Sequence, residues 1–203
     1  MKKIMFKDEY GLTEAVILRL KTMTRRTIPL MDTDKEYLDA AFNPDLHKSV
    51  IINRYARYKV GEEVAVAQRY ADIVNQLPDR YKEYVIGHYS GLNAWTNKMF
   101  VRADLMPHSI RITDIKVERL QDISDNDCLK EGIYRYNATP NALGMDRYEF
   151  ISYAYDTRLG EHIKRWWYHN PREAFAALID KVSGKGTWES NPWMFAYSFE
   201  LVI

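Results

Sequence analysis

Three cations and two hydroxyls fall within six residues at Lys21-Thr22-Met23-Thr24-Arg25-Arg26. Such a group can hold a phosphate, because each arginine offers a fork of N–H donors and the threonine hydroxyls add neutral ones. The same cations would also complement the carbonyl end of a preceding helix with no ligand present. A second cluster lies at 158–169 (RLGEHIKRWWYH), where Arg, Lys and His interleave with Trp166, Trp167 and Tyr168. Aromatics among cations suit single-stranded nucleic acid, since bases stack and phosphates pair. The alternative is an amphipathic element whose tryptophans dock on the core. Lys185-Gly186-Thr187-Trp188 is a third candidate, with Lys185 and Trp188 facing the same cleft and Gly184 and Gly186 allowing close backbone approach. Glu118 and Glu131 are two acids that could meet, unless Glu118 sits on a solvated strand face. The five histidines show no HxxxH or HExxH spacing, so no metal site is expected. Cys128 has the spacing of a small buried hydrophobe.

These residues need elements to position them. Leu12, Val16 and Leu20 at helical spacing predict a helix over 7–20, with Thr13 as its N-cap. The three threonines that follow, and Pro29, predict an irregular segment for KTMTRR itself. Residues 31–57 read as loop with a short helix at 35–41, and Val60-Gly61 as a turn. Alternation over 62–70 predicts a strand, at whose end Arg69 joins the candidate binding residues. Residues 71–97, with Pro78, Gly87 and Gly91, read as an insertion or long loop, and 134–170 as a second insertion with a helix at 148–155. Strands are expected at 99–103 and 109–120, the latter with a bulge near Thr113-Asp114 that reconciles two parities of isoleucine and valine. Ser124 caps a helix that Gly132 ends. Asn170-Pro171 starts another that stops before Gly184. The aromatic alternation of 193–203 predicts a strand inside a sheet. The pattern is α+β, in one domain spanning 1–203.

Composition narrows the classes. With 203 residues, 46% hydrophobic, the chain can bury a core and is not a disordered segment. No apolar run reaches the roughly 20 residues that span a bilayer. The first residues are too polar for a signal peptide. No membrane partner is expected. A balance of 29 basic against 28 acidic residues means that any electropositive site must be local. One cysteine excludes an intramolecular disulfide framework and suits a reducing, cytoplasmic setting. Without GxGxxG or GxxxxGK[ST] there is no nucleotide-phosphate loop, and no cofactor is expected.

The order of the short motifs resembles that of ASCH domains, a branch of the PUA-like β-barrel superfamily. Lys21 to Arg26 resembles the Lys-x-x-x-x-Arg signature after the first helix. Tyr58-Lys59-Val60-Gly61-Glu62-Glu63-Val64 is similar to the turn before an apolar strand. Val117-Glu118-Arg119-Leu120, followed by Ser124 to Glu131-Gly132-Ile133, is similar to the strand and the helix end of the family. The strand from Trp193 to Val202 resembles the closing one, and Asn191-Pro192-Trp193 is similar to phage and prophage members. The resemblance covers about half the chain and implies a small β-barrel with flanking helices and two insertions, 71–97 and 134–170. It implies recognition of RNA, a nucleotide or a modified nucleoside in the barrel cleft, by Lys21, Thr22, Thr24, Arg25, Arg26 and Glu131. One branch is similar to amidohydrolases that deacylate N4-acetylcytidine. It implies the alternative of catalysis by Lys21 as base, Thr24 as nucleophile and Glu131 as acid. Arg25 stands where that branch has an uncharged residue. A third expectation is a protein-interaction module of a mobile element, its cleft vestigial.

Overall fold

The computed structural model describes residues 1–40, 44–136, 147–150, 155–156, 161–162 and 168–202. The chain begins with β1 (Lys2–Ile4), α1 (Leu12–Ile17) and β2 (Met23–Thr27), then α2 (Asp32–Asp39), α3 (Pro44–Tyr55) and β3 (Glu63–Val66). Three helices follow, α4 (Tyr70–Ile73), α5 (Asp79–Tyr89) and α6 (Asn93–Thr96), before the long β4 (Ser109–Arg119) and α7 (Asp125–Lys130). Short strands β5 (Ile133–Tyr136), β6 (Arg147–Phe150), β7 (Tyr155–Asp156) and β8 (Glu161–His162) form two separate hairpin pairs. The chain closes with α8 (Pro171–Ser183), α9 (Thr187–Ser190) and β9 (Trp193–Val202).

Five strands form one mixed sheet in the order β1-β3-β4-β9-β2. β1 pairs parallel with β3, and the remaining pairs are antiparallel. The mixed α and β content agrees with the expected class. A closed barrel is not what the sheet forms: β1 and β2 are its two edges and do not pair. β9 lies inside the sheet, as its alternation predicts, with Met194, Phe195, Ala196 and Tyr197 all buried. The bulge in β4 is also present, as a register shift between Ile112 and Asp114 against β9. It lets Ile110 and Ile112, then Ile115 and Val117, reach the core despite opposite parity.

Several expectations are corrected. The KTMTRR segment is not irregular: Met23 to Thr27 form β2, because threonines that weaken a helix favour a strand and β9 offers a partner edge. α1 is capped by Gly11, not Thr13, whose hydroxyl donates to Asp8 at 2.6 Å. Residues 31–57 hold two helices rather than one. Residues 71–97 are helical rather than loop. Tyr70, Ile73, Leu77, Val85, Val101 and Leu105 close a second small core beneath them. The expected strand at 99–103 is replaced by single-turn helices at Lys98–Phe100 and Ala103–Leu105, since the Asn97 side chain accepts from Met99 N and holds the turn. The expected helix at 148–155 is not formed where it is described: Arg147–Phe150 pairs with β5 and Tyr155–Asp156 with β8, while 151–154 lie outside the described residues. Capping holds at the other two predicted helix starts. Ser124 accepts from Asp127 N at 3.1 Å, and Asn170 from Glu173 N at 2.8 Å.

Candidate functional site

α1 ends tightly. Arg19 adopts a left-handed φ of 60°, and the amides of Leu20 and Lys21 both donate to Ala15 O, at 2.8 and 2.9 Å. This turn drops the Lys21 side chain inward. From the other side α7 ends at Glu131, and Gly132 turns the chain at φ 97°. A side chain is strained at that φ, and the glycine backbone lies against Lys21 and Leu12. The two turns place Lys21 Nζ 2.6 Å from Glu131 Oε2 and 2.7 Å from Glu131 O. The ammonium thus answers both the carboxylate and a free carbonyl of the helix end.

β2 brings the next residues to the same place. Arg25 Nη1 donates to the second oxygen of Glu131, Oε1, at 3.0 Å. Its Nε donates to Glu118 at 3.1 Å, Nη2 also bonds Glu118, and Asp127 lies 3.9 Å away. Glu118 and Glu131 therefore do meet, bridged by Arg25. Lys21 and Arg25 are 2% and 5% exposed, and Glu131 4%. Burial pushes the Lys21 ammonium below its ordinary pKa and Glu131 opposes the shift, while Arg26 and Arg25 reinforce it. Thr24 is also buried, and its hydroxyl has no hydrogen-bond partner among the described residues. Arg26 turns the other way, donating to Met5 O at 2.7 Å across the gap between the two sheet edges.

Together these groups line a cleft of about 840 Å³. Phe6 and Phe175 flank it, with Arg26 Cζ 5.8 Å from the ring centre of Phe6 and Arg25 Cζ 5.8 Å from that of Phe175. Lys7, Lys21, Arg25, Arg26, Arg69 and Lys98 line it against two carboxylates, Asp8 and Glu131. Lys98 comes from the helical segment, and its ammonium bonds Asp8, Thr13 Oγ1 (2.7 Å) and Phe6 O (3.1 Å).

Of the residues singled out from the sequence, Lys21, Thr24, Arg25, Arg26, Arg69 and Glu131 share this cleft. Arg69 reaches it from the N-cap of α4, not from a strand face, and pairs with Asp72 at 2.7 Å. Thr22 lies outside the lining and works through its backbone, which donates to Lys130 O and accepts from Phe199 N, both at 2.9 Å. Trp188 belongs to a different hollow with Arg172 and Glu173, and Lys185 is exposed away from the cleft lining. Trp166 and Trp167 lie outside the described residues. The sequence reading missed Phe6, Phe175 and Lys98, which carry no local signal. It marked Glu118 and Glu131 as acids that could meet, but missed Arg25 as the group that joins them and Asp127 as a third acid nearby.

Set against family models, curated proteins and solved structures, the chain has no match in any of the three comparisons. Among the described residues no group of His, Cys, Asp and Glu is arranged to hold a metal ion, and no helix is long and apolar enough to cross a membrane. Cys128 is fully buried, and burial pushes its thiol up to about 12, so it is not a nucleophile at neutral pH.

Proposed function

We propose that the cleft recognises a nucleotide or modified nucleoside, free or within RNA. The observation that carries this reading is the convergence, on one cleft of about 840 Å³, of six cations and of Thr24, whose hydroxyl has no partner among the described residues; Lys21, Arg25, Arg69 and Lys98 are paired with acids, while Lys7 and Arg26 have no ion-paired carboxylate among the described residues. That volume is of the size that holds a nucleoside and its phosphate. The cation excess suits phosphate, while Thr24 and the Lys21–Glu131 pair offer polar groups to a base edge. Among the described residues no tryptophan or tyrosine lines the cleft, which favours a ligand site over a protein-interaction module with a vestigial cleft. In this reading the curled sheet is a PUA-like barrel of the ASCH kind, left open between β1 and β2, and the protein works in the cytoplasm.

A Thr24 hydroxyl without a partner among the described residues, lining the same cleft as a lysine of lowered pKa, supports a second reading, amide hydrolysis. Lys21, once it has passed its proton to Glu131 across 2.6 Å, would take the Thr24 proton as Oγ attacks the amide carbon. Glu131 would give its proton to the departing amine, and water would then cleave the acyl-threonine ester to a carboxylate. Arg25 works against this, because its guanidinium already occupies Glu131 Oε1 at 3.0 Å and Lys21 occupies Oε2, which leaves neither oxygen free to face a departing amine. Recognition is therefore the leading reading.

The test combines titration with chromatography. Wild-type protein should bind N4-acetylcytidine or short RNA, and Arg26→Ala should lower the salt slope of RNA binding by about one unit on log–log axes. Incubation with N4-acetylcytidine should leave it intact. If instead cytidine accumulates, and Glu131→Gln cuts its release by roughly 10²–10⁴-fold with Lys21→Ala equally inactive, the hydrolase reading replaces recognition. Absence of binding to every nucleoside and RNA tested, with no product, would remove both.

A further inference from the structure

A second hollow lies on the far side of Arg26. Its volume is about 290 Å³, and it shares Met5, Arg26 and Thr27 with the main cleft. The two spaces therefore meet at the seam between the sheet edges, where Arg26 donates to Met5 O. Lys3, Arg26 and Arg57 line the hollow, and among the described residues no carboxylate does. Its back wall is aromatic: Tyr58 and Tyr197 meet edge to face with ring centres 5.4 Å apart. Burial raises the pKa of both hydroxyls, so they stay neutral and leave the cations unopposed. Tyr58 OH donates to Lys3 O at 3.1 Å, and Tyr197 OH accepts from Arg57 N at 3.2 Å. Asp34, behind Tyr55, is already held by the Tyr55 hydroxyl and by Arg54 at 3.2 Å.

The three cations are not equally free. Lys3 Nζ is spent on Met99 O and Val101 O, at 2.6 and 2.7 Å. Arg26 has one nitrogen on Met5 O. The Arg57 side chain is exposed, sits 5.7 Å from the Tyr58 ring centre, and has no hydrogen-bonded or ion-paired partner among the described residues. An arginine laid on an aromatic face with its fork unfilled is ready to take two oxygens of an anion.

We infer that this hollow is a second anion subsite, and that the protein binds a single-stranded RNA segment rather than a lone nucleoside. One base would occupy the main cleft, the chain would cross the seam over Arg26, and the adjoining phosphodiester would sit against Arg57. The inference rests on the nucleotide-recognition reading of the main cleft. It extends that reading from one residue of RNA to at least two, and it assigns Arg57 to binding.

The experiment compares N4-acetylcytidine, cytidine, the dinucleotide CpC and a six-residue oligocytidylate, by calorimetry at low and moderate salt. Wild type, Arg57→Ala and Arg57→Lys are used, with melting curves to check folding. Affinity is expected to rise from nucleoside to dinucleotide. Arg57→Ala should weaken dinucleotide and hexamer about tenfold, as for loss of one charge-assisted contact, and leave nucleoside affinity unchanged. Arg57→Lys should recover part of the loss, since charge remains and the fork does not. If nucleosides bind but Arg57→Ala leaves the dinucleotide and hexamer as tight as wild type, the second subsite is refuted and recognition in the main cleft stands. If neither nucleosides nor oligonucleotides bind, both fall. Oligonucleotide binding that depends on Arg57, with nucleosides too weak to measure, supports the subsite and places most of the affinity at the seam.

Discussion

The floor of the cleft and the seam beside it are built from the same residue types and use them oppositely. On the floor Lys21 and Arg25 are buried, and Glu118, Asp127 and Glu131 answer them. At the seam Arg26 is half-buried and Arg57 is exposed, and among the described residues no carboxylate lines the hollow between them. Arg25 and Arg26 are neighbours in one strand, yet Arg25 reaches the acids of β4 and α7 while Arg26 reaches over the sheet edge. A cation's role is thus set by what meets it, not by its place in a basic motif. Floor cations hold the ends of α1 and α7 together. Seam cations are the ones available to an external anion.

The largest expected effect follows from breaking the floor. Arg25→Ala leaves Glu131 with one partner instead of two and removes the only cation recorded on Glu118 among the described residues. Removing one side of a buried ion network costs about 3–5 kcal/mol, because the remaining charge stays desolvated. Arg26→Ala, which loses one bond to a backbone carbonyl, should cost below about 1.5 kcal/mol. Urea unfolding of the two variants checks the pair. Equal losses would erase the distinction between floor and seam.

How much of this was legible depends on how local each signal is. β9 shows in the alternation of five aromatic and aliphatic residues, and α7 and α8 show in Ser124, Gly132 and Asn170-Pro171, because capping is a short-range interaction. β2 was hidden, since a five-residue polar strand is decided by the edge that receives it. The helices at 70–96 were hidden by Pro78, Gly87 and Gly91, which read as loop, although Pro78 stands at a helix N-cap and Gly91 follows the end of α5. In the site, Lys21, Thr24, Arg25 and Arg26 could be found because they are contiguous. Glu131 took its role in the site from the family resemblance, the residues alone offering only its possible meeting with Glu118, and Phe6, Phe175 and Lys98 are assembled by tertiary packing alone. The role of Arg25 was the costliest blind spot, because its acids lie 93 and 106 positions away.

A second, smaller effect sharpens the account of the floor through pH. Burial holds the Lys21 pKa below its ordinary 10.5. Between the lowered value and 10.5 the unfolded chain binds a proton that the folded protein does not. Stability therefore rises with pH across that window, and at lower pH the full cost of burying the charge is present. Tyr58 and Tyr197 act in the opposite sense above about 10, since burial raises their pKa and the unfolded chain loses those protons first. Comparing wild type with Lys21→Met cancels the tyrosines. The stability of wild type relative to the variant should climb as pH approaches 10.5, measured by urea unfolding at a series of pH values. A difference that stays flat over that range would show that the Glu131 pair fully offsets the burial of the Lys21 charge and that its pKa is not lowered.

The smallest expected effect lies at the rim, between floor and seam in character. Arg69 lines the cleft but is about two-fifths exposed and pairs with Asp72 one helical turn on. An exposed pair at that spacing is worth less than about 1 kcal/mol, so neither Arg69→Ala nor Asp72→Ala should move the melting point far. Their effects on RNA binding should have opposite signs. Arg69→Ala removes a cation already half-neutralised, so the salt slope should fall by less than the one unit expected for Arg26→Ala. Asp72→Ala frees that cation and should tighten binding by about twofold, the scale of one weak surface pair. The gain should vanish near 1 M salt, where screening shortens the reach of charge to about 3 Å. Matched titrations of the two variants at low and high salt decide it. If Asp72→Ala weakens binding at low salt, Asp72 is positioning Arg69 rather than competing with the ligand, and the rim behaves like the floor.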